Sequence, residues 1–131
     1  RHCENAVKVA EFLKGHDKIE NVIHPSQQSG EPAKRRDAYL KGGHGALCGF
    51  ELKGGADAGR KFIDSLELLY HVANIGDARS LAIHPATTTH SQLSVEDQAK
   101  AGVTPGYVRL SIGLEHIDDI IADLSQALDK V

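Results

Sequence analysis

The stretch YVRLSIG at residues 107–113 most constrains the fold, because its apolar side chains alternate with other residues. Such alternation predicts a strand with one face buried in a core. The buried set is Val108, Leu110 and Ile112. Arg109 falls on the opposite face. Residues 115–130 follow with apolar side chains at helical spacing, which predicts an amphipathic helix at the end of the chain.

The preceding residues alternate short strand patterns with helical ones. Strands are predicted in residues 19–24, 45–52 and 79–85, in addition to the one at 107–113. Helices are predicted in residues 2–14, 32–40, 56–72, a short segment opened by Ser94, and 115–130. About four strands with one-sided helices favour a two-layer α+β fold, one sheet with helices on one face. Alternation alone would favour a parallel doubly wound sheet, although no G-x-G-x-x-G turn follows any strand.

Composition narrows the class of protein. A chain of 131 residues with 40% apolar and 25% charged residues is typical of one globular domain. Its net charge of −3, and a basic cluster at residues 34–36 followed at once by Asp37, argue against nucleic-acid binding. No apolar run is long enough to suggest a membrane partner. Cys3 and Cys48 form neither a C-x-x-C motif nor a disulfide framework, which favours a reducing, cytoplasmic setting.

The start of the chain raises the question of completeness. The sequence has no methionine, and RHCENAVKVAEFL begins inside a helical pattern without a cap. We therefore expect residues 1–131 to be one domain cut from a longer chain.

Several residues that could carry chemistry have simpler interpretations. His84 and His90 lack partners at metal-ligand spacing, so no metal site is expected and both should be structural or surface imidazoles. The stretch KGGHGALCG at residues 41–49 is rich in glycine but leads into a predicted strand. A phosphate-binding loop would lead into a helix, so no such loop is expected here. Cys48, between Leu47 and Phe50, is expected to be a small buried residue.

Arg109 has the best physical case for a role in binding. On a strand face opposite the core, an arginine is either solvated, paired with a helix carboxylate, or available to grip an incoming anion. Its planar five-donor group suits a carboxylate, and a charge-assisted hydrogen bond is worth roughly 1.5 to 3 kcal/mol. Periodicity alone does not choose between these alternatives.

Two blocks give the chain a family resemblance. They are GDARSLAIHPATTTH at residues 76–90 and VRLSIGLE at residues 108–115. Their order and spacing resemble the C-terminal domain of the Cys/Met-metabolism, or trans-sulfuration, family of pyridoxal-phosphate (PLP) enzymes. Within that family, Ala73-Asn74-Ile75-Gly76-Asp77 and Arg79 are most similar to the O-acetylhomoserine sulfhydrylases. Cystathionine γ-synthase and methionine γ-lyase remain alternatives, as does a free-standing α+β binding module.

The resemblance implies a fold and an activity. It implies a mostly antiparallel sheet in the small C-terminal domain of a fold-type I PLP enzyme. For the parent, the implied reaction is γ-replacement, in which O-acetylhomoserine and sulfide give homocysteine, or methanethiol gives methionine. The parent is expected to be a cytoplasmic homotetramer that uses PLP and a small-molecule amino-acid substrate.

The resemblance also assigns residues. Arg109 matches the arginine that grips the substrate α-carboxylate, Ser80 matches a position that helps to hold that group, and Thr89 matches a threonine of the same pocket. No catalytic residue, cofactor-binding residue or metal ligand is expected here, because the family's Schiff-base lysine and cofactor contacts belong to a large domain. We therefore expect residues 1–131 alone to be inactive.

Overall fold

A five-stranded sheet forms the centre of the computed structural model, which describes residues 1–131. The strands are β1 (Ile19–Ile23), β2 (Leu47–Leu52), β3 (Tyr70–His71), β4 (Leu81–Ile83) and β5 (Tyr107–Ser111). The helices are α1 (His2–Lys14), α2 (Gly30–Tyr39), α3 (Gly55–Ser65), α4 (Val95–Lys100) and α5 (Ile117–Asp129). Two 3-10 turns, Pro25–Gln27 and Pro85–Thr87, complete the regular structure.

The sheet has the order β1-β2-β5-β4-β3. The β1–β2, β2–β5 and β5–β4 pairs are antiparallel, and only β3–β4 is parallel. This confirms the mostly antiparallel α+β fold, whereas the parallel sheet favoured by alternation alone is wrong. The strand count also differs, because the two-residue β3 at the sheet edge was not expected.

The core lies between one face of the sheet and α1, α3 and α5. Val108 and Leu110 of β5 and Ile112 directly after it form the alternating apolar set, and none of the three has exposed surface. Phe50 of β2 meets Phe62 of α3 edge to face, with ring centroids 5.4 Å apart. Arg109 therefore lies on the face that these helices leave uncovered.

Helix α3 is shorter than its apolar spacing predicts. It was expected to continue to residue 72, with Tyr70 on its buried face, but it ends at Ser65 and Tyr70 is 57% exposed in β3. The carboxylate of Asp123 on α5 accepts the backbone N–H groups of Glu67, Leu68 and Leu69 at 2.8, 3.0 and 3.0 Å. These bonds stabilise an irregular turn after α3, where the apolar spacing alone predicts that the helix continues.

Two smaller expectations, the cap at Ser94 and the burial of Cys48, are met. Ser94 caps α4 by accepting the N–H of Asp97 at 3.1 Å. Cys48 is fully buried, and burial raises the pKa of its thiol to about 12. No cluster of three or more His, Cys, Asp or Glu side chains is placed to hold a metal ion. None of the five helices has the length and apolar character needed to cross a membrane.

Two histidines are almost completely buried, and each is hydrogen-bonded. His84 Nε2 donates to the carbonyl of Pro105 at 2.7 Å, and its Nδ1 accepts from the Thr87 hydroxyl at 2.8 Å. His24 Nε2 donates to the carbonyl of Gly45 at 3.4 Å. Burial lowers the pKa of both imidazoles, although the carbonyl bonds oppose that shift.

The chain is expected to lose stability as the pH falls below about 6.5, the ordinary pKa of histidine. Because the pKa values of His24 and His84 are lowered in the folded state, the unfolded chain binds more protons over this range. Their contribution is complete above about 6.5 and is lost as the pH falls towards the folded pKa. Urea unfolding at several pH values measures the slope.

Variants identify the histidines that cause this slope. His84→Gln should flatten the dependence of the unfolding free energy on pH, while His90→Gln, at a partly exposed position, should leave it as it is. An unchanged slope in a His24→Gln, His84→Gln double variant would contradict the assignment to these two residues.

Candidate functional site

Arg109 occupies the centre of the sheet on the face opposite the core. In β5 it pairs with Gly49 of β2 on one side and Ile83 of β4 on the other. Its Nη2 donates to the carbonyls of Ala73 and Asn74, at 2.6 and 3.4 Å. Its Nε is buried without a hydrogen-bond partner in the chain, although most buried polar groups in native proteins have one.

Arg109 forms no ion pair with a carboxylate of the chain. The side chain is half-buried, so it is not simply solvated either. Of the alternatives left open by the sequence, this geometry favours a cation held by backbone carbonyls whose charge is not neutralised by the protein. Such a group can attract an anion without first breaking a salt bridge.

An open depression of about 610 Å³ lies beside Arg109. Its other lining residues form one continuous loop: Ala73, Asn74, Ile75, Gly76 and Asp77. The loop follows β3 and is exposed. Gly76 has a positive φ of 76°, a conformation that glycine adopts without strain. Arg109 and this loop together line the depression.

The two sequence blocks form one hydrogen-bonded unit in which the loop runs beside β5 and the residues after it. The backbone N–H of Gly76 donates to Ser111 Oγ at 3.0 Å, and that of Leu114 donates to the carbonyl of Ala78 at 2.8 Å. Together with the Arg109 bonds, these contacts attach the exposed loop to the sheet. The spacing of the residues within each block thus serves to bring these hydrogen-bonding groups together.

Ser80 of the first block is hydrogen-bonded to two residues of the second block. It is fully buried; its N–H and hydroxyl donate to the two carboxylate oxygens of Glu115 at 2.6 and 2.8 Å. Its Oγ also accepts the N–H of Gly113 at 2.8 Å. Glu115 lies just before α5, and both of its carboxylate oxygens accept from Ser80. Because Ser80 does not line the depression, its role in holding a substrate carboxylate stays a prediction.

Thr89 lies elsewhere in the same block. It follows the turn Pro85–Thr87, is exposed, and its Oγ1 is 2.9 Å from Nδ1 of His90. The residues that line the Arg109 depression do not include it. Its assignment to the substrate pocket therefore also stays a prediction.

Sequence reasoning missed the contribution of Ala73 and Asn74. In the sequence these two residues only mark a subfamily, whereas in the structure their carbonyls accept hydrogen bonds from the Arg109 guanidinium. A backbone acceptor leaves no trace in side-chain identity. The available signal was the group Asn74, Gly76 and Asp77, a composition that is typical of turns and loops.

Comparison with known proteins gives a consistent result. Residues 1–129 match the family model for the Cys/Met metabolism PLP-dependent enzymes. The O-acetyl-L-homoserine sulfhydrylase of Leptospira meyeri is 55% identical over 132 residues, which is 100% of this chain and 30% of that protein. An L-methionine gamma-lyase of Fusobacterium nucleatum subsp. polymorphum is 45% identical over 131 residues, 100% of this chain and 33% of that protein.

A solved structure has the same fold. It is a Campylobacter jejuni protein named as an O-acetylhomoserine (thiol)-lyase, which carries N'-pyridoxyl-lysine-5'-monophosphate. The TM-score is 0.89 at 45% identity, over 98% of this chain and 30% of that one. The chain thus spans about a third of the length of the proteins that it matches.

Proposed function

Because the chain belongs to the family of Cys/Met metabolism PLP-dependent enzymes, we propose that it is the substrate-binding domain of an O-acetylhomoserine sulfhydrylase. One observation carries the proposal. Arg109 lies half-buried beside an open depression, unpaired with any acid, and is held by the loop that resembles the sulfhydrylases in sequence. Since the chain spans only about a third of its relatives, the activity is proposed for the parent protein.

In this proposal Arg109 binds the α-carboxylate of O-acetylhomoserine. The bond from Nη2 to Ala73 fixes one edge of the guanidinium, so that the remaining N–H groups meet the carboxylate in a defined orientation. Fixing one end of a flexible amino acid orients its Cα–H and the acetyl ester relative to the reacting groups. The net reaction replaces acetate at Cγ with sulfide and gives homocysteine.

We propose that the residues of this chain do not form a PLP site by themselves. No lysine lines the depression beside Arg109. Lys18, Lys41 and Lys53 instead donate to backbone carbonyls elsewhere. PLP is the cofactor of the family, so we propose that the residues that hold it belong to a larger domain of the parent and that residues 1–131 alone are inactive.

Assembly and location are proposed on family resemblance alone. We propose that the parent is a cytoplasmic homotetramer. Size-exclusion chromatography with light scattering on the full-length parent measures the assembly directly.

Activity of the full-length parent tests the proposed function. With O-acetylhomoserine and sulfide it should form homocysteine, and methionine alone should be a poor substrate. The similarity to methionine gamma-lyases supplies a second candidate. Rapid release of methanethiol from methionine, without homocysteine formation from O-acetylhomoserine, would contradict the sulfhydrylase proposal and favour that candidate. Stoichiometric binding of PLP to residues 1–131 alone would contradict the assignment of the cofactor site.

A further inference from the structure

Ser111 lies two residues after Arg109 in β5, on the same face of the sheet. It is 3% exposed, and its Oγ accepts the backbone N–H of Gly76 at 3.0 Å. The strand that supplies the cation therefore also supplies an attachment point for the loop beside it.

The loop depends on few other contacts at this end. Residues 73–79 are exposed, although their neighbour Ser80 is buried. Over residues 75–77 the only hydrogen bond that joins the loop to the sheet is the one from Gly76 to Ser111, while Asn74 is joined to the sheet by Arg109. If that bond were absent, this part of the loop would be joined to β5 mainly through Arg109 itself.

The position of the loop decides the orientation of the guanidinium. Arg109 Nη2 donates to the Ala73 and Asn74 carbonyls, two or three residues before the point where Ser111 holds the loop. A shift of Gly76 would move these acceptors and let the guanidinium rotate. Orientation matters because a bidentate hydrogen bond to a carboxylate requires a planar fork aimed at it.

We propose that Ser111 is a positioning residue: by holding Gly76 it fixes the loop of residues 73–77, and through its carbonyls the carboxylate-binding orientation of Arg109. This inference rests on the proposed function of Arg109. It assigns Ser111 no contact with the substrate.

Steady-state kinetics of the full-length parent test the proposal. Ser111→Ala removes the acceptor for Gly76, and should raise KM for O-acetylhomoserine roughly three- to tenfold, as expected for one hydrogen bond. The kcat value should change less than about twofold, because the reacting groups are untouched. Ser111→Cys, which nearly keeps the volume but accepts weakly, should lie between Ala and wild type.

A matched control shows whether losing any serine hydroxyl that accepts a backbone N–H would raise KM. Ser94 Oγ also accepts a backbone N–H, from Asp97 at 3.1 Å, but in α4. Ser94→Ala should leave KM unchanged. An equal rise in KM for Ser94→Ala and Ser111→Ala would overturn the positioning role, as would an unchanged KM in Ser111→Ala and Ser111→Cys.

A double-mutant cycle tests whether Ser111 acts through Arg109. In an Arg109→Ala background, Ser111→Ala should change KM less than about twofold, since the group that it positions is gone. Full additivity of the two effects would overturn the proposal.

Hydrogen exchange of the full-length parent gives a readout that does not depend on activity. Ser111→Ala should speed exchange at the Gly76 amide, whereas Ser94→Ala should not. A parent without sulfhydrylase activity but with faster exchange would refute the proposed function and leave the loop attachment standing. Unchanged exchange would overturn the attachment itself.

Discussion

Replacing Asp123 with alanine is expected to lower the free energy of unfolding by about 3–5 kcal/mol. Asp123 is 6% exposed, and its carboxylate accepts three consecutive backbone N–H groups, those of Glu67, Leu68 and Leu69. It also accepts from Gln126 Nε2 at 2.9 Å. Alanine would leave buried or half-buried donors without an acceptor and would release the connection between α3 and β3.

Chemical denaturation of residues 1–131 measures this loss. Asp129→Ala, at an exposed position of the same helix, is the matched control and should change stability by less than about 0.5 kcal/mol. Asp123→Asn should lie between wild type and Ala, because an amide oxygen still accepts but its NH₂ group faces other donors. A loss below about 1 kcal/mol for Asp123→Ala would mean that water satisfies these amides as well as the carboxylate does.

The same contact explains where sequence-based prediction of the fold stopped. The apolar residues of segment 56–72 keep helical spacing past Ser65, so periodicity alone extends the helix. Asp123 lies 56 residues further along than Glu67, and its capping of that turn is a tertiary interaction. Local patterns report which face of a segment is apolar, but not which distant side chain ends the element.

In the candidate site, too, some features could be predicted from the sequence and others could not. The alternation in β5 was enough to place Arg109 on the face away from the core, and the structure agrees. The loop carbonyls that hold its guanidinium were not predictable, since every residue has a carbonyl. The pairing of Glu115 with Ser80 was also missed, because a carboxylate just before a helix is ordinarily assigned to the helix dipole.

Arg109→Ala in the full-length parent is expected to lower kcat/KM for O-acetylhomoserine about 100- to 10,000-fold, mostly through KM. This follows from the loss of two charge-assisted hydrogen bonds to the α-carboxylate, each worth roughly 1.5 to 3 kcal/mol. Arg109→Lys keeps the charge but not the planar fork, and should recover only part of the loss. Arg60→Ala is the control, because Arg60 is exposed on α3 and pairs with Asp57.

A substrate analogue tests which group Arg109 binds. The methyl ester of O-acetylhomoserine lacks the α-carboxylate charge. For the wild-type parent, kcat/KM should therefore be lower for the ester than for the acid by about the factor that Arg109→Ala causes. The Arg109→Ala variant should treat acid and ester within about threefold of each other, since it has lost the group that distinguishes them. If the variant kept the full wild-type preference for the acid, another residue would bind the carboxylate, and Arg109 would serve only to hold the loop of residues 73–77 in place.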